Sequence, residues 1–511
     1  MTNESIPRLD FIEEPKLVFG NGQRLESPKD GLYLFGPLVD GEQNVALRIG
    51  IIGTKAGIQH LTNWMSQVRG VVAAKDSESA QHRPFPGFSA VFGVDLPKTA
   101  TYEYAVTDKQ IDDALLIGDR HVAVFRTVDV FSSEIQRYLD EEESVVDVWF
   151  VVIPERVYQY GRPKSVVPTA LRVDSGTLMD KKLAKELINE PSLFMEDNQA
   201  TEPYLYEVNF HNQLKARPLD KRNRAVIQVV RETAIAPGAF LKSNGMPLRR
   251  VQDPATIAWN LCTTAYFKMG KRPWRLARVR DKVCYVGLVF KQVLNAAEGS
   301  ACCGAQMFLD SGDGLVFKGA VGPWKSANSK EYHLTREGAH SLLAMVVEAY
   351  KAKEGTYPAE LFIHGRAEFN DEEWEGFSDA LPAETKLVGV RIRSSNAIKL
   401  FRPGTHPVLR GTALQISHRG GFLWTRGFVP YLNTYPGRET PNPLRIDVLR
   451  GDGDLRTVME DVLALTKLNF NACIYGDGLP VTLRFADAVG EILTAGPAVD
   501  KQPPLPFKYY I

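Results

Sequence analysis

In the stretch NFHNQLKAR (209–217), His211 and Lys215 stand four residues apart, the spacing that puts two side chains on one face of a helix. Lys221, Arg222 and Arg224 follow, then Gln228 in the next apolar run. An imidazole, an ammonium and an amide on one surface form a donor set that cups a phosphate through charge-assisted hydrogen bonds. A solvated helix face has the same composition. A second stretch, KMGKRPWRLARVRDK (268–282), carries Lys268, Lys271, Arg272, Arg275, Arg278, Arg280 and Lys282 against one acid, Asp281. Cations interleaved with Trp274 suit a nucleic-acid backbone, and an exposed interdomain linker reads the same way. The chain finishes on PLPFKYYI (504–511). Burying Phe507, Tyr509, Tyr510 and Ile511 would carry the carboxylate of Ile511 inward, where a cation or a set of donors must meet it.

Whole-chain properties direct attention to such local features. The 511 residues suffice for two to four domains. Lys plus Arg, 61, equals Asp plus Glu, 61, so no global charge argues for nucleic acid or membrane. No apolar run is long enough for a membrane span and no basic n-region opens the chain. The five cysteines lack zinc spacing and suit reduced core thiols of a cytoplasmic protein.

The elements that must position these residues differ between the two halves. In the first, VALRIGIIG (45–53) leads into the amphipathic KAGIQHLTNWMSQV, VDVWFVVI (146–153) into PERVYQYG, and RAVIQVVR (224–231) is a third apolar run. Apolar strands followed by helices predict a doubly wound, mostly parallel sheet. The glycines of GIIGTKAG match neither GxGxxG nor GxxxxGK[ST] and read as a strand–turn–helix. Polar stretches near 72–84 and 139–145 predict loops. In the second half, KVCYVGLVFKQVL (282–294) predicts a strand, and SACCGAQMFLD (300–310) with GLVFKGAVG (314–322) a hairpin through SGDG. A long helix over 334–355, a strand over 360–365, a helix over 371–381 and a strand over 385–393 follow. That order, βββ-α-β-α-β, is the order of a ribonuclease H-like fold.

Nucleases of that fold hold two metal ions with carboxylates converging from several elements. The first strand here reads Tyr285-Val286-Gly287-Leu288-Val289-Phe290, and the strand after the long helix ends Ile363-His364-Gly365-Arg366, with no acid in either. Asp487, in LRFADAVGEIL, fits the slot for a late acid, and one carboxylate cannot hold a metal pair. These residues argue for a nuclease fold without nuclease activity. The opposite expectation is an active metal-dependent nuclease whose displaced ligands, such as Asp310, Asp313, His364 and Asp487, assemble a site.

Together these stretches resemble the Argonaute family. The resemblance rests on VDVWFVVIPERVYQYGRP, FHNQLKAR, VCYVGLVFK, CCGAQMFLDSGDGLVFKG, LTKLNFNACIYGDGLPVTLRFADAVGEILTA and PFKYYI, and IEEPKLVFGNGQ, DGLYLFGPL and FPGFSAVF extend it toward the N-terminus. The chain is similar to a short prokaryotic Argonaute made of MID and PIWI alone. The resemblance implies an α/β architecture, an N-terminal segment plus Rossmann-like MID domain over 1–275 and a ribonuclease H-like PIWI domain over 276–511. It implies a pocket for the 5′-phosphate of a guide built by His211, Lys215, Gln228 and Lys268, with the Ile511 carboxylate on a divalent cation, Mg²⁺. Arg222, Lys271, Arg272 and Arg275 would contact the nucleic-acid backbone, and YGRPKSVVP (160–168) would lie at the first guide base. Val289 stands where the first acid of the family's catalytic tetrad would be, and Asp487 is the surviving, vestigial position.

That departure implies a catalytically silent sensor. A 5′-phosphorylated guide RNA would direct it to single-stranded target DNA from plasmid or phage. The implied partner is a separate APAZ-domain effector in a heterodimer, most closely of the TIR-APAZ kind, with SIR2 or nuclease effectors as alternatives, and with assembly to a higher oligomer on activation. TIR and SIR2 effectors destroy NAD⁺ and stop the infected cell, an antiviral, abortive-infection form of plasmid interference. No NAD-binding fingerprint stands in this chain, so NADase activity is expected only in the partner. A stand-alone guide-binding protein is the remaining reading.

Overall fold

The computed structural model describes residues 7–39, 47–75, 81–174, 176, 179–278, 280–292, 301–308, 314–321, 324–325, 331–435, 437, 439–497 and 503–511. Two sheets organise them. A four-stranded sheet runs in the order Tyr102–Val106, Ile49–Thr54, Val148–Ile153, Ile227–Arg231, and all three pairings are parallel. Val148–Ile153 is buried along its whole length, as a central parallel strand covered on both faces must be. The GIIGTKAG stretch is a plain strand–helix junction. Thr54 caps the Lys55–Arg69 helix by accepting from Gly57 N at 2.9 Å.

The second sheet has ten strands. Val283–Gln292, Ala301–Phe308 and Gly314–Val321 form an antiparallel meander. Glu360–Gly365 then pairs parallel to Val283–Gln292 on one side and to Lys386–Ser394 on the other. The crossover is the helix Arg336–Glu354, capped by Thr335 at its start and by Gly355, at φ 76°, at its end. This is the predicted ribonuclease H-like order. The SGDG turn lies outside the described residues, except for Gly314.

Other expectations shift at element ends. The polar stretch 139–145 splits, because the helix Arg120–Glu141 continues through its first three residues. Of the 72–84 stretch, residues 76–80 lie outside the described residues. Tyr102–Val106, half-exposed on alternate residues, forms a parallel edge strand that no apolar run announces. Cys262, Cys284 and Cys473 are buried free thiols.

The N-terminal segment belongs to both units. Arg8–Phe11 adds antiparallel to Thr412–Ser417 at one edge of the ten-stranded sheet. Glu14 accepts from Arg410 Nε at 2.8 Å and from Lys467 Nζ at 2.7 Å. Leu17–Val18 then pairs with Arg275–Leu276, at the division expected between domains. The opposite sheet edge is made by Leu505–Pro506, pairing with Leu315–Val316. Just beyond it Phe507 packs edge-on against Phe308 and Phe485, each with ring centroids 5.2 Å apart. Among the described residues no helix is long and apolar enough to cross a membrane.

Candidate phosphate-binding site

The tail turns inward and ends buried, with Tyr510 2% and Ile511 4% exposed. There it meets the helix Phe210–Ala216, capped by Asn209, whose side chain accepts from Asn212 N at 3.3 Å. Phe210 N also donates to Gly161 O at 2.7 Å, which fixes the start of this helix against the 160–168 loop. Lys215 lies in its last turn and is 6% exposed. Its Nζ donates to Tyr510 O at 3.2 Å, so the ammonium sits one residue from the Ile511 carboxyl group. Lys268 closes the helix Pro254–Lys268 and is fully buried. Its Nζ donates to Ile227 O at 2.8 Å and to Gln228 Oε1 at 2.7 Å. The Gln228 amide nitrogen turns to Val229 O, at 3.1 Å. Four elements, distant in sequence, thus bring Lys215, Gln228, Lys268 and the tail to one place.

The electrostatics of this place are unbalanced. Burial pulls the Lys215 pKa down to about 7. Burial, and then the charge of Lys215, pull Lys268 well below the ordinary lysine range. No acid appears among the influences on either lysine. Each ammonium does sit in the last turn of a helix, where the negative end of the helix dipole gives partial support. Two buried ammonium groups with no Asp or Glu side chain bonded to them, and only the Ile511 carboxyl group near by, are expensive in isolation and attractive to an anion. His211 keeps a large exposed fraction although protein surrounds the site. That surrounding protein, then the charge of Lys215, lowers its pKa, so its imidazole is neutral at pH 7. Its Nδ1 lies 3.2 Å from Asn212 Oδ1.

A divalent cation fits this place only jointly with a ligand. The tail contributes the Ile511 carboxylate, and among the described residues no three His, Cys, Asp or Glu gather as a metal cluster. Phosphate oxygens would have to supply most of its shell.

The basic run after Lys268 is not one surface, which corrects the reading of its cations and Trp274 as one stretch facing a nucleic-acid backbone. Trp274 is fully buried and donates to Lys467 O at 3.0 Å. Arg280 is held by Glu360 and by Asp461, the latter at 2.6 Å. Arg275 is half-buried in its short strand, with Nη1 3.3 Å from Leu276 O. Lys271 and Arg272 are half-buried, and Arg222 is exposed. Sequence reasoning missed the Tyr510 carbonyl, a backbone group that no side-chain pattern announces. It also missed Lys508, whose Nζ lies 3.4 Å from where a Cβ on Gly270 would stand. Its place in PFKYYI was the available signal.

Where a ribonuclease H-like fold gathers its acids there is a cleft of about 210 Å³, lined in part by Leu288, Phe290, Gly365, Arg366 and Asp487. Arg366 Nη1 lies 3.0 and 3.1 Å from the two oxygens of Asp487. His364 is enclosed, 1% exposed, with Nδ1 2.9 Å from Thr482 Oγ1. Burial lowers its pKa to about 3. Val289 pairs with Gly304 in the meander, and Asp310 and Asp313 lie outside the described residues.

No family model and no curated protein matches the chain. Solved structures match it in fold. Clostridium butyricum Argonaute, bound to a guide DNA and a 19-mer target DNA, aligns over 96% of this chain and 53% of its own, with TM-score 0.62 and 13% identity. Aa-Ago with externally bound siRNA aligns over 99% and 56%, with TM-score 0.53 and 13% identity. A. aeolicus Argonaute aligns over 99% and 55%, with TM-score 0.53 and 12% identity. The chain spans a little over half the length of each. The expected fold, a Rossmann-like unit followed by a ribonuclease H-like unit as in the MID–PIWI part of Argonautes, is the fold found.

Proposed function

We propose that this chain holds a guide strand by its 5′-phosphate and uses the guide to recognise a target nucleic acid by base pairing. The carrying observation is the pair of buried lysines, bonded only to carbonyl and amide oxygens, beside an inward-folded tail. A terminal phosphate supplies the missing negative charge. Lys215 and Lys268 supply charged donors, Gln228 an amide once Lys268 turns from it to the ligand, and His211 a donor or a flat ring for the first base. The Ile511 carboxylate, together with the ligand, would hold Mg²⁺, whose charge would offset the repulsion between that carboxylate and a phosphate. A neighbour in fold that carries guide and target strands supports the same reading.

On this reading the guide is a 5′-phosphorylated RNA and the target single-stranded DNA, and the protein does not cut. The Arg366–Asp487 ion pair supports a silent cleft, since Asp487, the one tetrad position that keeps an acid, is already engaged, and the glutamates that also line the cleft, Glu331, Glu368 and Glu373, accept from Glu368 N, Arg391 and Leu334 N respectively. A sensor of this kind acts through a partner, and the resemblance of the sequence favours an APAZ-domain effector of TIR type. The deciding experiment loads purified protein with guides that differ only in a 5′-phosphate or 5′-hydroxyl. The phosphorylated guide binds at least tenfold tighter if the reading holds, and equal affinity overturns it. Incubation of the loaded protein with matched target and Mn²⁺ leaves the target intact. NAD⁺ loss on adding guide and target to the complex purified with its partner tests the effector assignment.

A further inference from the structure

The loop between Lys386–Ser394 and Thr412–Ser417 builds a second concave surface that neither the pocket nor the cleft uses. A cavity of about 320 Å³ is lined there by Phe401, Arg402, His406, Tyr435 and Thr440, among others. Phe401 is 74% exposed, so its ring has an open face. Beside it rings and a guanidinium are already layered. His406 stacks on Phe428, centroids 4.1 Å apart and planes 20° apart. Arg402 reaches over the same Phe428 ring at 5.5 Å and holds the His406 carbonyl with Nε at 3.3 Å. The rim is cationic. Lys399 donates to Thr440 O at 2.9 Å, and Arg426 is close enough to Tyr435 to lower that phenol's pKa in opposition to burial. Among the described residues, Glu439 is the one acid lining the cavity.

Topology fixes which end of the sheet this surface occupies. Glu360–Gly365 and Lys386–Ser394 are parallel neighbours, with Gly365 opposite Arg391. Both strands therefore finish at the same end. One leads into Arg366 and the cleft, and the other into the loop that carries Phe401. A nucleic acid crossing the cleft end of the sheet thus passes the strand end from which the loop springs.

We propose that this groove is a stacking site for an unpaired base of the target strand, just beyond the stretch paired with the guide. An open aromatic ring, a guanidinium and an imidazole with a cationic rim match a base face and its flanking phosphate, and they tolerate any base. Pairing hides the bases inside a duplex, so an overhanging target base is the free π-surface that arrives with the duplex. The inference rests on the guide-directed reading above.

The test uses guide-loaded protein and two sets of matched targets, one trimmed to the paired stretch and one extended by a short unpaired run at either end. Extension strengthens binding of the wild-type protein, Phe401→Ala removes roughly five- to a hundredfold of that gain, and Phe401→Tyr retains it. Targets carrying 5-iodouracil in the extension crosslink to the Phe401–His406 loop. Three outcomes overturn the proposal: no gain from extension, an equal gain in Phe401→Ala, or a Phe401→Ala defect in binding guide alone, which would make the guide the occupant. A change in self-association without a change in target binding would also overturn it, as the mark of a protein interface. If loaded protein bound no target of either kind, the guide-directed reading itself would fall, and the two failures are thereby distinguishable.

Discussion

The phosphate pocket and the cleft at the end of Glu360–Gly365 each contain a basic side chain beside a carboxyl group, and they treat charge in opposite ways. In the cleft Arg366 meets Asp487 across 3.0 Å, with both side chains about half or more open to water, 47% and 64%. An exposed pair of this kind is electrostatically complete and contributes little stability. In the pocket Lys215 and Lys268 are buried, repel one another and have only carbonyl and amide oxygens as partners. A compensated surface pair has little left to bind, whereas two buried ammonium groups beside a single carboxyl group are stabilised by an anion that reaches them. The contrast is why the proposed function places the ligand at the pocket, although the cleft is where this fold performs chemistry in nucleases.

The strongest way to break that contrast is to delete Tyr510 and Ile511. Deletion exposes two buried positions and removes the Lys215 acceptor. The expected loss, at roughly 1.5–3 kcal/mol per buried side chain as an upper bound, is visible as a lowered urea midpoint together with lost preference for phosphorylated guides. A tail deletion that changed neither would leave the pocket without its floor and the contrast without content.

Next come the lysines. Lys215→Ala and Lys268→Ala each weaken 5′-phosphorylated guides by roughly ten- to a hundredfold, the worth of a charge-assisted contact of about 1.5–3 kcal/mol, and barely affect 5′-hydroxyl guides. Filter binding with both guides separates this from a general backbone contact, which would weaken the two equally.

A pH series sharpens the comparison further. Lys215 holds its proton less tightly in the folded protein, with a pKa of about 7, than in the unfolded chain. Between about pH 7 and the ordinary lysine range the unfolded chain binds more protons, so the ligand-free protein gains stability as pH rises through that window. Lys268 acts in the same direction. Thermal melts of ligand-free protein should show this rise, and saturation with 5′-phosphorylated guide should flatten it. The smallest effect belongs to the cleft. Arg366→Ala shifts stability by less than about 1 kcal/mol and leaves guide affinity unchanged in the same assays.

Legibility in the sequence followed the same division between local and distant causes. The strand Val148–Ile153, the helix Arg336–Glu354 and the element order around them were readable, because continuous apolar runs and amphipathic spacing are local signals. Lys215 with His211 was readable from a four-residue spacing. Tyr102–Val106 was not, since its alternate residues face solvent and its place is set by pairing with Ile49–Thr54. Trp274 was misread because a tryptophan among arginines looks exposed, and only its packing against Phe19 and Phe470 puts it in the core. The tail's apolar composition announced burial, and its actual contact, a backbone carbonyl accepting from Lys215, has no sequence signature.

The strand Arg8–Phe11 has a consequence for how the molecule is made. Its partner is Thr412–Ser417, with Arg8 opposite Gln415, so it cannot enter its sheet until nearly the entire parallel unit and most of the second have emerged from the ribosome. During that interval Leu9 and Phe11, still 58% and 43% exposed in the finished protein, wait on an unpaired edge. Long-range pairing of this kind slows folding and favours wrong partners. Fusing a bulky domain directly ahead of Arg8 should therefore lower the yield of soluble protein more than the same fusion on a long flexible spacer.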